Sequence, residues 1–293
     1  MFQRRPILKW LAVLLSAPAL AAAGVLLLTP AAPPRVAPFP WQGTLGRPFL
    51  IAAGGAPSAP PYTLPAFRRA LADGVQALAL PLRFTADGEP VVYPAGDLSA
   101  TTDGHGAVEA LPLADLQTLD AGYRFADPPG AFSFRGHGLQ IPLFEEVLAA
   151  FPGTPMLVEL VDPSPAPAHL DRLARIVKRW EVSGTILLAA RSREVAATLR
   201  RLIPEAPAVS TPEEAASFLT LARLGLAAFA RPAYHLLWAA PEALTARVVG
   251  AAHRRRLAVL AGPAASPEEA RRLLALKVEG LILTGRAMPR RPR

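Results

Sequence analysis

Few side chains in this 293-residue sequence can do acid–base or metal chemistry, and they are dispersed. There is no cysteine, which excludes disulfides, thiolate nucleophiles and cysteine-based metal sites. Of the five histidines, His105 and His137 lie beside glycines in one polar stretch, while His169, His235 and His253 have no partner at ligand spacing. Glu159 stands in the apolar run "MLVELV", where a strand would carry a carboxylate towards its C-terminal end. With His105, His137 and Asp97 it has the chemistry of an acid/base group, since catalysis is set by geometry and not chain order. The ordinary reading is a strand-end carboxylate, solvated or paired with an arginine, and two flexible-loop histidines. The stretch "FLIAAGGAPSAPPYTLPAFRRAL", Phe49 to Leu71, runs from strand through Gly/Pro loop to helix, an arrangement α/β enzymes use to present catalytic groups. Between Ala52 and Tyr62 it holds no acid, no base and no charge.

The elements that would position such groups are legible as patterns. Apolar runs of strand length, "FLIAA", "ALALPLRF", "MLVELV", "TILLAA", "PAVS", "AAFA", "LAVLAG" and "LILTG", alternate with amphipathic stretches. Continuous apolar runs fit strands buried on both faces of a parallel sheet. Thr211-Pro212-Glu213-Glu214 and Ser266-Pro267-Glu268-Glu269 combine a capping box with proline at the first helical position. Gly74 and Gly280 sit where C-caps would close "PAFRRALADG" and "RRLLALKVEG". Asp87-Gly88 predicts a tight turn into a short strand. This count predicts an α/β fold, a (β/α)8 TIM barrel, with residues 95–146 inserted after the second strand and roofing the barrel mouth. No glycine-rich turn matches a dinucleotide fingerprint. Tyr62, Tyr93 and Phe84 near that mouth are candidates to line an apolar pocket.

The N-terminus carries a different signal. Arg4, Arg5 and Lys9 precede an uncharged run from Trp10 to Leu28, about the length that spans a bilayer as a helix. The flanking cations orient it with its start in the cytoplasm. Ala21 and Ala23 fit a small-residue cleavage site, but cleavage there would leave an exposed "GVLLL", which favours a retained anchor. The expected organisation is a membrane helix over residues 1–28, a Pro-rich tether over 29–47, a barrel over 48–286 and a basic tail over 287–293. The net charge of +8 comes from arginines scattered over several helices without interleaved aromatics, which argues against nucleic acid.

Several segments in this order, "TLPAFRRALADGVQALAL", "TADGEPVV", "TTDGHGAV", "LDAG", "IPLFEEVLAAF" and "PEEARRLLALKVEGLILTGR", resemble the glycerophosphodiester phosphodiesterase family across residues 48–286. The resemblance implies a barrel that hydrolyses glycerol-linked phosphodiesters with a divalent metal. Where that family carries His-Arg-Gly after the first strand, this chain has Ala53-Gly54-Gly55. Pro61-Tyr62 replaces a Glu-Asn pair, Ala79 and Pro81 replace the carboxylates of Glu-x-Asp, and Pro94-Ala95 replaces a His-Asp. Of the three metal-ligating carboxylate positions only Glu159 matches, Val161 standing for the lysine that follows it, and "AGPAAS" replaces a Trp-containing strand end. Phosphodiester cleavage needs neutralised phosphoryl oxygens, an activated nucleophile and a protonated leaving group. With Ala53, Gly54 and Pro94 emptied, the expectation is no catalytic residue and no bound metal. His105 and His137 are the substitutes to test.

The favoured reading is a membrane-tethered, catalytically inactive family member with a binding or structural role, as a subunit of a membrane complex. It would be a single-pass protein of the inner membrane with its barrel on the periplasmic side, and its partners would be the membrane and a membrane protein. The alternative is a divergent phosphoric diester hydrolase acting on glycerophosphodiesters, with Ca or Mg as its metal.

Overall fold

The computed structural model describes residues 41, 48–162 and 164–289. The expected membrane helix, all of the tether but Trp41, and residues 290–293 of the tail lie outside the described residues. Among the described residues no helix is long and apolar enough to cross a membrane.

The predicted alternation of strand and helix is present. Strands β1 (Phe49–Ala53), β2 (Ala77–Phe84), β3 (Pro90–Val92), β4 (Met156–Leu160), β5 (Ile186–Ala190), β6 (Leu236–Ala239), β7 (Ala258–Ala264) and β8 (Gly280–Leu283) form one sheet. Its parallel order is β5-β4-β2-β1-β8-β7-β6, with β3 antiparallel on β2. Isolated parallel bridges from Leu188 to Ala208 and from Val209 to Leu236 link β5 to β6 through the expected "PAVS" segment. The architecture is α/β and TIM-like. The "AAFA" expectation fails: Ala227–Phe229 is a 3-10 turn, and the neighbouring run Leu236–Ala239 makes the strand instead. Both runs are short and apolar, and periodicity alone does not separate them.

The sheet buries both faces. One apolar cluster fills the space enclosed by the strands, with Ile51, Leu157, Leu187, Leu236, Leu260 and Ile282 among its members. A larger one lies between the strands and the surrounding helices α1 (Leu64–Ala72), α3 (Phe144–Ala150), α4 (Pro167–Arg179), α5 (Arg193–Leu202), α6 (Pro212–Arg223), α7 (Ala246–Arg254) and α8 (Pro267–Ala275), while the short α2 (Leu113–Leu116) packs in a separate cluster. α4 shows the origin of that outer layer: Leu170, Leu173, Ile176 and Val177 recur at helical spacing and are buried. The Thr211 capping box closes as expected, its hydroxyl accepting from the Glu214 amide at 3.2 Å and its amide donating to the Glu214 carboxylate at 2.8 Å. At Ser266 only the hydroxyl half forms; Glu269 accepts from the Ala265 amide.

Gly280 is not a C-cap. α8 ends at Ala275, Lys277 takes the left-handed conformation (φ +60°), and Gly280 opens β8. Its role is space: a Cβ there would lie 2.4 Å from the ring of Phe49 and 2.5 Å from the Leu260 side chain. Phe49 in turn packs edge-on against Trp41, ring centroids 5.4 Å apart, at the N-terminal end of the strands. Both aromatics are fully buried.

Of residues 95–146, expected over the barrel mouth, none is among the described residues that line the cavity at the strand ends. This stretch contains short 3-10 turns and α2, and it closes over an apolar cluster of its own with Tyr93, Leu98, Val108, Leu116 and Ile141. Packing Gly280→Ala into this end of the barrel should lose about 1–3 kcal/mol of stability through overpacking. Urea unfolding of the full chain measures it, and an unchanged midpoint would contradict the packing described.

Candidate functional site

Parallel pairing brings the C-terminal ends of the strands together. Ala53 stands beside Ala79, Pro81 beside Glu159, and Glu159 beside Ala189. Around this layer opens a cavity of about 530 Å3, lined also by Tyr62, Pro94, Arg191, Ser210, Trp238 and Thr284. Its position at the carboxyl ends of the strands is where barrels of this kind place their sites.

The loop after β1 is shaped by backbone requirements. Gly54 and Gly55 both have positive φ, and a Cβ on Gly55 would come within 2.6 Å of Ala66 in α1. The loop is pinned by the Tyr62 amide on the Gly54 carbonyl (2.9 Å), the Ala56 amide on the Ala66 carbonyl (2.9 Å) and the Thr63 hydroxyl on the Pro60 carbonyl (2.6 Å). Tyr62 itself sits at φ +61°, an unfavourable conformation for a bulky side chain. A Cβ added to Gly54 would make ordinary contacts with Pro61 (3.5 Å) and the Tyr62 ring (3.6 Å), so its positive φ and not a lack of space disfavours a side chain there.

Among the described residues, Glu159 is the only carboxylate that lines the cavity. A guanidinium nitrogen of Arg191, the residue directly after β5, stands 3.2 Å from one of its oxygens. The Glu159 side chain is 21% exposed and that of Arg191 56%. Burial raises the Glu159 pKa above the ordinary carboxylate range, and the contact with Arg191 only partly offsets this. The Tyr62 phenol is raised too, first by burial and then by the negative charge of Glu159. Opposite, Trp238 at the end of β6 is fixed twice: its backbone amide donates to the Ser210 hydroxyl (3.0 Å) and its indole N–H to the Gly262 carbonyl (2.9 Å).

Other expected participants are elsewhere. His105 and His137 are exposed in the stretch after β3, and neither lines the cavity. Asp97 is an exposed turn residue whose carboxylate accepts from the Ser99 amide, holding its pKa low. His169 stacks on Phe84 at 4.7 Å, so Phe84 packs outside the mouth, and Tyr93 belongs to the side cluster. His235 accepts the Ala208 amide at 3.1 Å, and His253 approaches Glu279 at 3.2 Å. Sequence reading missed Arg191 and Trp238, although each stands at the C-terminal end of an apolar run, the place where mouth residues fall.

A hard divalent cation needs several oxygen ligands. The cavity offers one carboxylate, already engaged by Arg191, and among the described residues no group of three or more His, Cys, Asp or Glu could hold a metal. The residues do not fit such an ion.

Fold and site together define an α/β barrel of the TIM-like class with its cavity at the strand ends. Residues 54–284 match the glycerophosphoryl diester phosphodiesterase family, and the chain belongs to it. The uncharacterized protein Rv2277c of Mycobacterium tuberculosis is 27% identical over 161 residues, 54% of this chain and 54% of that protein. A Bacillus subtilis glycerophosphodiester phosphodiesterase is 27% identical over 164 residues, 53% of this chain and 56% of the relative. These alignments span little more than half the length of the curated relatives. Among solved structures, the phosphodiesterase domain of Rv2277c superposes with a TM-score of 0.71 at 19% identity, covering 81% of this chain and 96% of that one. The Agrobacterium tumefaciens glycerophosphodiester phosphodiesterase gives 0.66 at 22% identity, covering 83% and 97%. At these identities the superpositions speak for the fold.

The Glu159 environment has a measurable consequence. A carboxyl whose pKa is raised in the folded state contributes stability below its ordinary value near 4.5 and loses it as the pH rises through the folded value. Near neutral pH, Glu159→Gln should therefore raise the unfolding midpoint, since the half-exposed Arg191 is solvated without its partner. The gain should vanish below about pH 4.5. A lower midpoint near neutral pH would contradict this account of the carboxylate.

Proposed function

We propose that this chain is a membrane-tethered, non-catalytic member of the phosphodiesterase family, with a barrel mouth that binds and does not cleave. The observation that carries the reading is the composition of the cavity. Among the described residues its one carboxylate is Glu159, paired with Arg191, and no histidine lines it. A phosphodiester there would meet no acid/base pair; each such group typically contributes about 10²–10⁴ in rate. The Ser210 hydroxyl is buried and accepts from Trp238, with no base beside it to activate it.

The proposed organisation is a membrane helix over residues 1–28, a tether over 29–47, a barrel over 48–286 with the stretch after β2 as an insertion, and a basic tail over 287–293. The closed (β/α)8 form of the barrel is supported by the bridges through residues 208–209. The uncharged run from Trp10 to Leu28 behind Arg4, Arg5 and Lys9 supports a single-pass protein of the inner membrane with its barrel on the periplasmic side. Its partners are the membrane and a membrane protein of a larger complex. Nucleic acid is not among them.

A second reading is a divergent phosphoric diester hydrolase using Ca or Mg, and family membership favours it. Hydrolysis of glycerophosphodiesters by the purified full chain, with Ca²⁺ or Mg²⁺ added, separates the two. The expected result is no turnover above buffer. Metal-dependent turnover that Glu159→Gln abolishes would establish the second reading.

A further inference from the structure

We infer that the barrel mouth takes an amphiphilic organic cation, its ammonium group seated against Glu159 and the rings of Tyr62 and Trp238 and its apolar body against the apolar lining of the cavity. This deepens the binding reading above and rests on it.

Three observations converge. The first is shape and lining: about 530 Å3 is in the range of small-molecule sites, and Leu157 and Ile282 of the enclosed apolar cluster line it together with Val161. The ligand therefore has a substantial apolar part. The second is the incomplete satisfaction of Glu159. A carboxylate accepts about four hydrogen bonds. Among the described residues Glu159 receives one contact, at 3.2 Å from Arg191, and no backbone or side-chain hydrogen bond besides. A half-buried anion with spare acceptor capacity calls for a cation. The third is aromatic. Tyr62 and Trp238 line the same cavity, and Trp238 is held rigid by hydrogen bonds from both its backbone and its indole nitrogen. Aromatic faces attract ammonium groups, tryptophan most strongly. Tyr62 holds its place at a backbone conformation that disfavours bulky residues, and such strain gathers at ligand sites.

Arg191 is the competitor in this arrangement. Its side chain is more than half exposed and sits in the short link between β5 and α5, free to turn outward when a ligand cation takes its place. An anion drawn to Arg191 would instead lie against Glu159. The overall charge sharpens the contrast: at +8 the chain attracts anions in general, so a preference for a cation has to come from the site.

The test is calorimetric titration of the full chain with hexyltrimethylammonium, hexanol and hexanesulfonate, three probes with one apolar tail and different heads. Hexyltrimethylammonium is expected to bind most tightly. Glu159→Gln should weaken it by at least about tenfold and leave hexanol unchanged. Arg191→Ala should strengthen it, because it removes the rival cation without touching the apolar lining. Equal affinity for the three probes, tighter binding of the sulfonate, weaker cation binding in Arg191→Ala, or no binding at all would overturn the proposal. Phosphodiester turnover measured on the same preparation separates the two levels. With no turnover, a missing cation preference defeats this inference alone. Turnover lost in Glu159→Gln defeats the non-catalytic reading as well, since Glu159 would then be catalytic.

Discussion

Parallel pairing of strands buried on both faces is the constraint from which the rest of this structure follows. In such a sheet, residues at alternate positions point into the enclosed space, and register stacks them in layers. Phe49 and Gly280 begin the lowest layer, where a missing side chain admits a ring and Trp41 packs beside it. The middle is aliphatic, with Ile51, Leu157, Leu187 and Ile282. The top layer is Ala53, Ala79, Ala189, Glu159 and Trp238, and small residues dominate it. A cavity at the strand ends follows directly, because alanine cannot fill the space its neighbours leave.

The same layer determines the chemistry. Backbone register places side chains wherever their strands end, whether or not they are reactive. Here it places one carboxylate in a largely apolar surround: burial raises its pKa, a single arginine compensates in part, and Tyr62 is raised first by burial and then by the charge of Glu159. A largely buried carboxylate whose one ion-pair partner is more than half exposed adds little to the stability of the fold. In the loop after β1, Gly55 serves close packing on α1, and Gly54, at positive φ, lies in ordinary contact distance of the Tyr62 ring. Reinstating a single reactive side chain at either glycine would meet a positive φ.

Much of this was legible in the residues. The strands came through wherever a long apolar run was bounded by turn signals, as at "ALALPLRF" before Asp87-Gly88, and the capping chemistry of Thr211 appeared as written. Short runs were ambiguous. "AAFA" and "LLWA" are alike in composition, and only pairing with β7 makes a strand of the second. Gly280 read as a helix terminator because its role, leaving room for Phe49, involves a residue more than two hundred positions away. Arg191 and Trp238 escaped for a related reason: each is an ordinary residue at a strand end until register shows which cavity the strand faces. The stretch after β3 packs its own apolar residues, Tyr93 and Leu98 among them, into a separate cluster.

The described lining of the barrel mouth, one carboxylate beside an arginine, offers too few ligands for a divalent metal. Calorimetric titration of Ca²⁺ into the purified full chain tests this most directly. No saturable site at the barrel mouth is expected, and the Glu159→Gln variant should give the same trace as the unaltered chain. A stoichiometric Ca²⁺ site that disappears in Glu159→Gln would contradict this, and would mean that ligands outside the cavity's present lining close around the ion when it binds.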